Sequence, residues 1–429
     1  MKLWDKGIGT DKKVDLFTVG NDRELDLILA KYDVKASGAH AKMLGEIGLL
    51  TSSETEELIQ ALDLIEKEIS EGKFTIEDDF EDMHSKIEYL LTDKLGDTGK
   101  KIHTARSRND QVLVAIQLYL KDEIKELKLM TKKLFDLLIS SAEEHKNILM
   151  PGYTHMQIAM PSSFGLWFSS YAESLVDDIY VLNTASKVVD QNPLGSAAGY
   201  GSSFPIDRQF TTDALGFQTQ KYNVIAAQMG RGKIEKITAF GMATLAGTLS
   251  KLAMDICLYM SQNFNFISFP DEFTTGSSIM PHKKNPDVFE LIRAKCNKIQ
   301  SLPGQITLVV NNLTSGYHRD YQLCKEIIIP GLQEIKACLE MTTSTLSQAA
   351  INKSILEDNK YDYLFSVERL NELVQQGVPF RDAYKQVGQE IQEGTYKPIR
   401  KINHTHQGSI GNLCLDEIRS KMSEALGDL

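Results

Sequence analysis

KKIHTARSRNDQVLVAIQLYLKDEIKELKLMTKKLFDLLISSAEEHKNILM, residues 100–150, runs from just after Gly99 to just before Pro151 without a glycine or a proline. Nothing in it interrupts a helix, because the two residues that break helical hydrogen bonding or cost most backbone entropy are absent. Leu113, Leu120, Leu127 and Leu134 recur every seven residues, with Ile116, Met130 and Leu137 between them and only Glu123 breaking the second row. Such a stripe is the seam by which one helix packs along others. At a rise of ~1.5 Å per residue, a helix of about 35 residues spans roughly 50 Å. That exceeds the width of an ordinary compact domain, so the rod needs neighbours to cover its apolar side.

The pattern repeats downstream. Phe164, Phe168, Tyr171, Leu175, Leu182 and Val189 form a second stripe, and Leu245, Leu252 and Tyr259 a further one after an interruption at Gly230 and Gly232. The expected fold is mainly α, an elongated subunit of three domains around a central bundle of long helices. The boundaries fall at 1–105 for an N-terminal helical domain, 106–350 for the bundle and 351–429 for a small mixed C-terminal domain. Loops are expected at Gly72-Lys73 and at residues 96–99.

Composition narrows the function classes. A chain of 429 residues with net charge -11 and a pI near 5.4 does not present the basic surface that nucleic acid or an anionic membrane requires. Five cysteines, Cys257, Cys296, Cys324, Cys338 and Cys414, are odd in number and lack metal-type spacing, which reads as reduced thiols in a cytoplasmic protein. The opening MKLWDKGIGTDKK has no apolar core for a signal peptide, and no run of about twenty apolar residues is evident. The His404-Thr405-His406 pair lacks partners at ligand spacing, so no metal is expected.

The chemistry-bearing stretch is GSSIMPHKKNPD, residues 276–287, which places two hydroxyls, two lysines and an amide on one loop. Gly276 and the serines favour a mobile turn, and Asn285-Pro286 reads as an N-cap followed by proline at the first helical position. A loop of that kind, ahead of a helix N-terminus, suits a carboxylate or a developing carbanion-type charge. A second dense set of donors lies in HTARSRNDQ, residues 103–111, where Thr104, Arg106, Ser107, Arg108, Asn109 and Gln111 crowd together and arginine offers a forked donor for carboxylate. Asn109 also reads as a possible N-cap of the long helix. The run GSAAGYGSS, residues 195–203, lacks the lysine and the βαβ setting of a phosphate loop.

Together these stretches resemble the fumarase/aspartase superfamily, and the 276–287 string resembles its signature loop. HTARSRNDQ, PGYTHMQ at 151–157, SGYHRDYQLCKE at 315–326 and GVPFRDAY at 377–384 are similar to the argininosuccinate lyases, in order, from about Asp22 to Tyr384. The resemblance implies reversible cleavage of argininosuccinate to arginine and fumarate by β-elimination, without a cofactor, in a cytoplasmic homotetramer whose active sites draw on several subunits. It puts the base on Ser277, stabilisation of the intermediate on Lys283 and Asn285, and a paired histidine and carboxylate on His155 and Glu290. Ser107, Arg108, Asn109 and Thr154 would hold the succinyl end; Tyr317, Gln322 and Lys325 would hold the amino-acid end. His84, in EDMHS, and Arg231 are further binding candidates.

Some positions depart from the family pattern. Ala105 stands in place of a glycine, Asp22 in place of a serine, and the segment NVIAAQMGRGK at 223–233 lacks the usual acidic residues. His282 replaces a glutamine and resembles the adenylosuccinate lyases, which are the alternative among enzymes. A catalytically silent structural protein, like the lens delta-crystallins that share the fold, is the alternative outside them.

Overall fold

A computed structural model describes residues 11–427, so the leader reading of residues 1–10 lies outside the described residues. The long helix forms as expected, over Arg108–Glu144. Leu113, Leu120, Leu127 and Leu134 are all fully buried along it. Three more long helices follow, Phe164–Val189, Lys233–Met260 and Gln322–Leu346. Their predicted stripes are buried too, from Phe164 to Val189 and from Leu245 to Tyr259. Lys233–Met260 is apolar enough by composition to cross a membrane, a property the sequence reading missed. Met242, Leu245, Leu249, Leu252 and Ile256 are buried along it, and it serves as a core helix.

The chain folds into two compact units, each drawn from three stretches: 11–127, 181–244 and 298–335 in the first, and 128–180, 245–297 and 336–427 in the second. In the first unit the helices Asp22–Glu46 and Ser52–Ser70 pack together. The second of these starts with a capping box, Thr51 and Glu54 each satisfying the other's backbone amide. Asp22–Glu46 carries an unusual inner face: Leu29, Ala30, Leu44 and Met43 alternate with the buried polar residues Asp26, Asp33, Ser37 and His40. Burying these groups is costly without partners, and each has one. Asp26 takes Lys325 and the Met83 amide, Asp33 faces His84, Ser37 accepts from Arg106, and His40 bonds the Thr104 carbonyl. This helix is therefore the spine on which EDMHS and HTARSRNDQ are mounted. The stretch 96–99 is partly helical, since Gly96 caps one helix and Asp97–Lys100 begins another. Gly99 is there for space, because a Cβ would lie 2.2 Å from the Leu91 carbonyl oxygen.

In the second unit the helix Phe164–Val189 follows a β-hairpin, Leu149–Thr154 paired antiparallel with Gln157–Ser163. The Trp167 indole and the Tyr171 hydroxyl both donate to Asp255, at 3.0 and 2.6 Å, which satisfies a carboxylate inside an aromatic cluster. The C-terminal part opens on the short strand Ala350–Ile351, paired with Ile267–Ser268, and carries the helices Ser366–Gln375, Phe380–Gln392 and Leu415–Leu426 with a non-helical stretch at 393–414 between the last two. Leu370, Leu373, Ala383 and Val387 give its helical pair a small core. The last helix, Leu415–Leu426, is tied back by Arg419 to Glu143 at 2.9 Å and by Lys421 to Glu173 at 2.5 Å.

Candidate active site

The predicted site residues divide between the units. Ser107, Arg108, Asn109, His84, Arg231, Tyr317, Gln322 and Lys325 belong to the first, and His155, Thr154, Ser277, Lys283, Asn285 and Glu290 to the second.

In the first unit, a cavity of about 140 Å³ collects Asp22, Asp26, Glu81, Asp82, His84, Arg108, Asn109, Arg231, Tyr317, Arg319, Gln322 and Lys325. The long helix begins at Arg108, so its cap is Ser107 rather than Asn109. The Ser107 hydroxyl accepts from the Asn109 amide at 3.3 Å and the Asp110 carboxylate accepts from the Ser107 amide at 2.9 Å. This reciprocal cap fixes Asn109 as the second residue of the helix, with its side chain free of hydrogen bonds among the described residues and lining the cavity. Arg108 is already engaged, donating to Glu81 at 3.0 Å and Ser85 at 2.6 Å and lying 3.3 Å from Asp82. Its fork is a structural brace here as much as a carboxylate receptor.

Lys325 is almost wholly enclosed, with its ammonium 2.5 Å from Asp22 and 2.7 Å from Asp26. Burial disfavours its charge, but Asp26 and then Asp22 outweigh that and raise its pKa. Burial pushes the Asp22 carboxyl up from its ordinary range, with Lys325 only partly offsetting the shift. Gln322 spends its amide donors on the Thr18 and Val19 carbonyls at 3.1 and 2.9 Å. Arg319, absent from the predicted set, joins the Thr18 carbonyl at 2.9 Å and Glu81 at 2.9 Å. Its signal in the sequence was its place between Tyr317 and Gln322. His84 sits with Nδ1 2.9 Å from Asp33. Burial opposes its protonation, yet Asp33, helped by Asp82 and Asp26, raises its pKa. Arg231 is buried against Glu235 at 3.0 Å and donates to the Tyr321 carbonyl at 2.7 Å, so it braces the Tyr321 turn beside the cavity.

In the second unit, residues 275–285 close on themselves: the Asn285 amide donates to the Thr275 carbonyl at 2.8 Å, and the Thr275 hydroxyl to Asp287. The Asn285 side chain donates to the Gly276 carbonyl at 3.2 Å. The helix starts at Asp287, one residue later than the Asn285-Pro286 reading, and the Pro286 carbonyl accepts its first bond from Glu290. Asn285 therefore pins the loop instead of capping the helix, and the first-turn carboxylates Asp287 and Glu290 take the helix dipole. The Ser277 oxygen accepts from the amides of Met280 at 3.2 Å and Ile279 at 3.4 Å. Two amides aimed at a hydroxyl oxygen favour its anionic form. Lys284 is held by Asp271, whereas Lys283 is exposed.

His155 and Met156 are the two residues of the hairpin turn, with Thr154 paired to Gln157, and both have left-handed backbone, φ 52 and 60. Such turns favour asparagine and glycine. A histidine and a methionine held there carry strain, which concentrates at functional positions. Thr154 and His155 are exposed, and so is Glu290. Within one chain, His155 and Glu290 do not pair with each other among the described residues. No cluster of three metal-ligating side chains occurs among the described residues.

A mainly helical fold with a serine, lysine and asparagine on one closed loop defines a member of the fumarase/aspartase superfamily. A family model described as lyase matches residues 8–301. The chain is 57% identical over 426 residues to an argininosuccinate lyase of Parabacteroides distasonis, covering 99% of this chain and 96% of that protein. It is 56% identical over 425 residues to one of Bacteroides thetaiotaomicron, covering 99% and 95%. Among solved structures, an EDDS lyase in complex with formate superposes with a TM-score of 0.77 at 20% identity, covering 98% of this chain and 90% of that one. The chain belongs to the argininosuccinate lyase family.

Proposed function

We propose that the chain catalyses the reversible β-elimination of argininosuccinate to L-arginine and fumarate, as a step in arginine formation in the cytoplasm. The observation that carries this reading is 57% identity, spread over 99% of the chain, to a protein bearing that name. In this reading Ser277 removes the proton from the carbon beside a succinyl carboxylate. The electron pair moves into that carboxylate to give an aci-dianion, the carbon–nitrogen bond breaks, and the departing guanidino nitrogen is protonated. The two amides on the Ser277 oxygen, at 3.2 and 3.4 Å, support its use as a base once water is excluded. Lys283 and Asn285 stabilise the dianion, and Ser107, Asn109 and Thr154 hold the succinyl end. Tyr317, Gln322 and Lys325, with Arg231 and His84 around them, serve the amino-acid end.

The assembly in this reading is a homotetramer with composite sites, built on the central segment 106–350 between segments 1–105 and 351–429. Exposed apolar side chains on the long and flanking helices support it: Leu291 is 59% and Leu308 77% exposed, and Phe240 and Met254 are about half exposed. His155 and Glu290 then meet across subunits. Adenylosuccinate is the second candidate substrate, favoured only by His282. Incubating the purified protein with argininosuccinate and with adenylosuccinate while following fumarate decides between them. Release from argininosuccinate alone supports the proposal, and release from adenylosuccinate alone overturns it.

A further inference from the structure

The amino-acid end of the cavity holds four carboxylates, Asp22, Asp26, Glu81 and Asp82, and they are not equally neutralised. Glu81 lies between Arg108 and Arg319, at 3.0 and 2.9 Å, and Asp82 is 3.3 Å from Arg108. Asp26 has the Lys325 ammonium at 2.7 Å, the Met83 amide at 3.1 Å and the field of the His84 imidazole. Among the described residues Asp22 pairs only with Lys325, at 2.5 Å, and Lys325 is shared. Two carboxylates on one buried ammonium leave a local charge of about minus one where the dielectric is low. Burial raising the Asp22 pKa is the same imbalance seen from the carboxyl.

An incoming carboxylate at Lys325 would face both aspartates; an incoming ammonium would complete the set. Two turns of geometry fit a zwitterion: Asp22 and Asp26 are one turn apart on the same helix, and Arg319 and Gln322 lie by the Thr18 carbonyl. We infer that Asp22 is a specificity-determining residue that receives the free α-ammonium of the substrate's amino-acid end, with the Nη1 end of Arg319, which Thr18 and Glu81 do not engage, toward the α-carboxylate, so that the site selects against Nα-acylated substrates. This rests on the elimination reading above. Lys325 then holds the two aspartates in place instead of binding a carboxylate itself.

Acylation removes both the charge and the donors, and leaves Asp22 buried without its partner. The titration that matters is Asp22 against Lys325 on the facing helix, Asp26 on its own helix and Asp82 from the adjoining loop. As pH falls, Asp22 takes a proton and loses its attraction for the ammonium.

The test uses the full-length assembled enzyme, wild type and the near-isosteric Asp22→Asn, with Asp22→Ser as a second variant. Binding of L-arginine and of Nα-acetyl-L-arginine is measured by calorimetry, and kcat and KM for argininosuccinate are measured across pH, with melting temperatures as a control on folding. The expected result is a wild-type preference for L-arginine that falls by about tenfold or more in both variants. KM should rise by a similar factor while kcat changes less, and the acid limb of kcat/KM should flatten. An undiminished preference in folded variants, or an unchanged acid limb, overturns the assignment while leaving the elimination reading intact. A wild-type protein that neither turns over argininosuccinate nor binds L-arginine overturns both.

Discussion

Replacing Asp110 by alanine should loosen the start of the long helix, and the size of the effect follows from its contacts. Asp110 is fully buried, and its carboxylate accepts three backbone amides: Ser107 at 2.9 Å, Gly195 at 3.1 Å and Ala197 at 2.8 Å. It thereby ties the helix cap to a loop in which Ala197 has a left-handed backbone, φ 51. Each buried amide left without an acceptor costs about 1–3 kcal/mol. Against this, burial lifts the Asp110 pKa from 3.8 to about 6, so at neutral pH the folded state carries an ionisation cost of roughly 3 kcal/mol that alanine removes. Three amides at about 2 kcal/mol each, less that cost of about 3 kcal/mol, leave a net loss of roughly 3 kcal/mol, or a fall in Tm of roughly 6–12 °C. Asp110→Asn keeps an oxygen for two of the amides and should cost less. The sign of the pH dependence is fixed by the raised carboxyl: its stabilisation is complete below the unfolded value and fades as pH rises through the folded one. The advantage of wild type over Asp110→Asn should therefore shrink between about pH 4 and pH 6. Urea titrations at several pH values measure all of this. An Asp110→Ala protein within about 1 kcal/mol of wild type, or an advantage that grows over that window, would refute the reasoning.

Ser277→Ala should bind substrate nearly normally while turnover drops by ~100 to 10,000-fold; near-normal turnover in a folded variant would remove Ser277 from the base role. Lys283→Met should lower kcat strongly, because it takes charge from the intermediate, and a change confined to KM would make Lys283 a binding group. Met156→Gly should raise stability by about 1 kcal/mol by relieving a left-handed residue, read as a higher Tm. No gain would mean that the side chain's own contacts offset the strain.

The bundle was legible because its signal is repetitive and chemical: Leu113 to Leu134 lie on one face, and one face is what a helix buries. The loop at 276–287 was legible for a different reason, its density of donors. Helix ends were less so. Asn109 and Asn285 both look like caps by type, but capping depends on which side chain reaches the orphan amides, and here Ser107 with Asp110 and the Thr275–Asn285 closure decide it. The role of Asp33 and Asp26 was hidden because a buried carboxylate and a solvated one look alike in a helix sequence. Only their partners, His84 and Lys325, mark them. Arg108 and Lys325 read as free donors for the same reason. Type and motif name a cation, whereas its availability depends on carboxylates, Glu81 and Asp22, that lie far away in the chain.

The central claim is that the elimination is run by His155 and Ser277 brought together from different chains, and one mixing experiment addresses it. His155→Asn and Ser277→Ala proteins, each inactive, are combined under conditions of subunit exchange, with exchange verified by mass. Fumarate release from argininosuccinate should reappear in the mixture, at a fraction of the wild-type rate, and in neither protein refolded alone. Verified exchange with fumarate still at background would contradict the account.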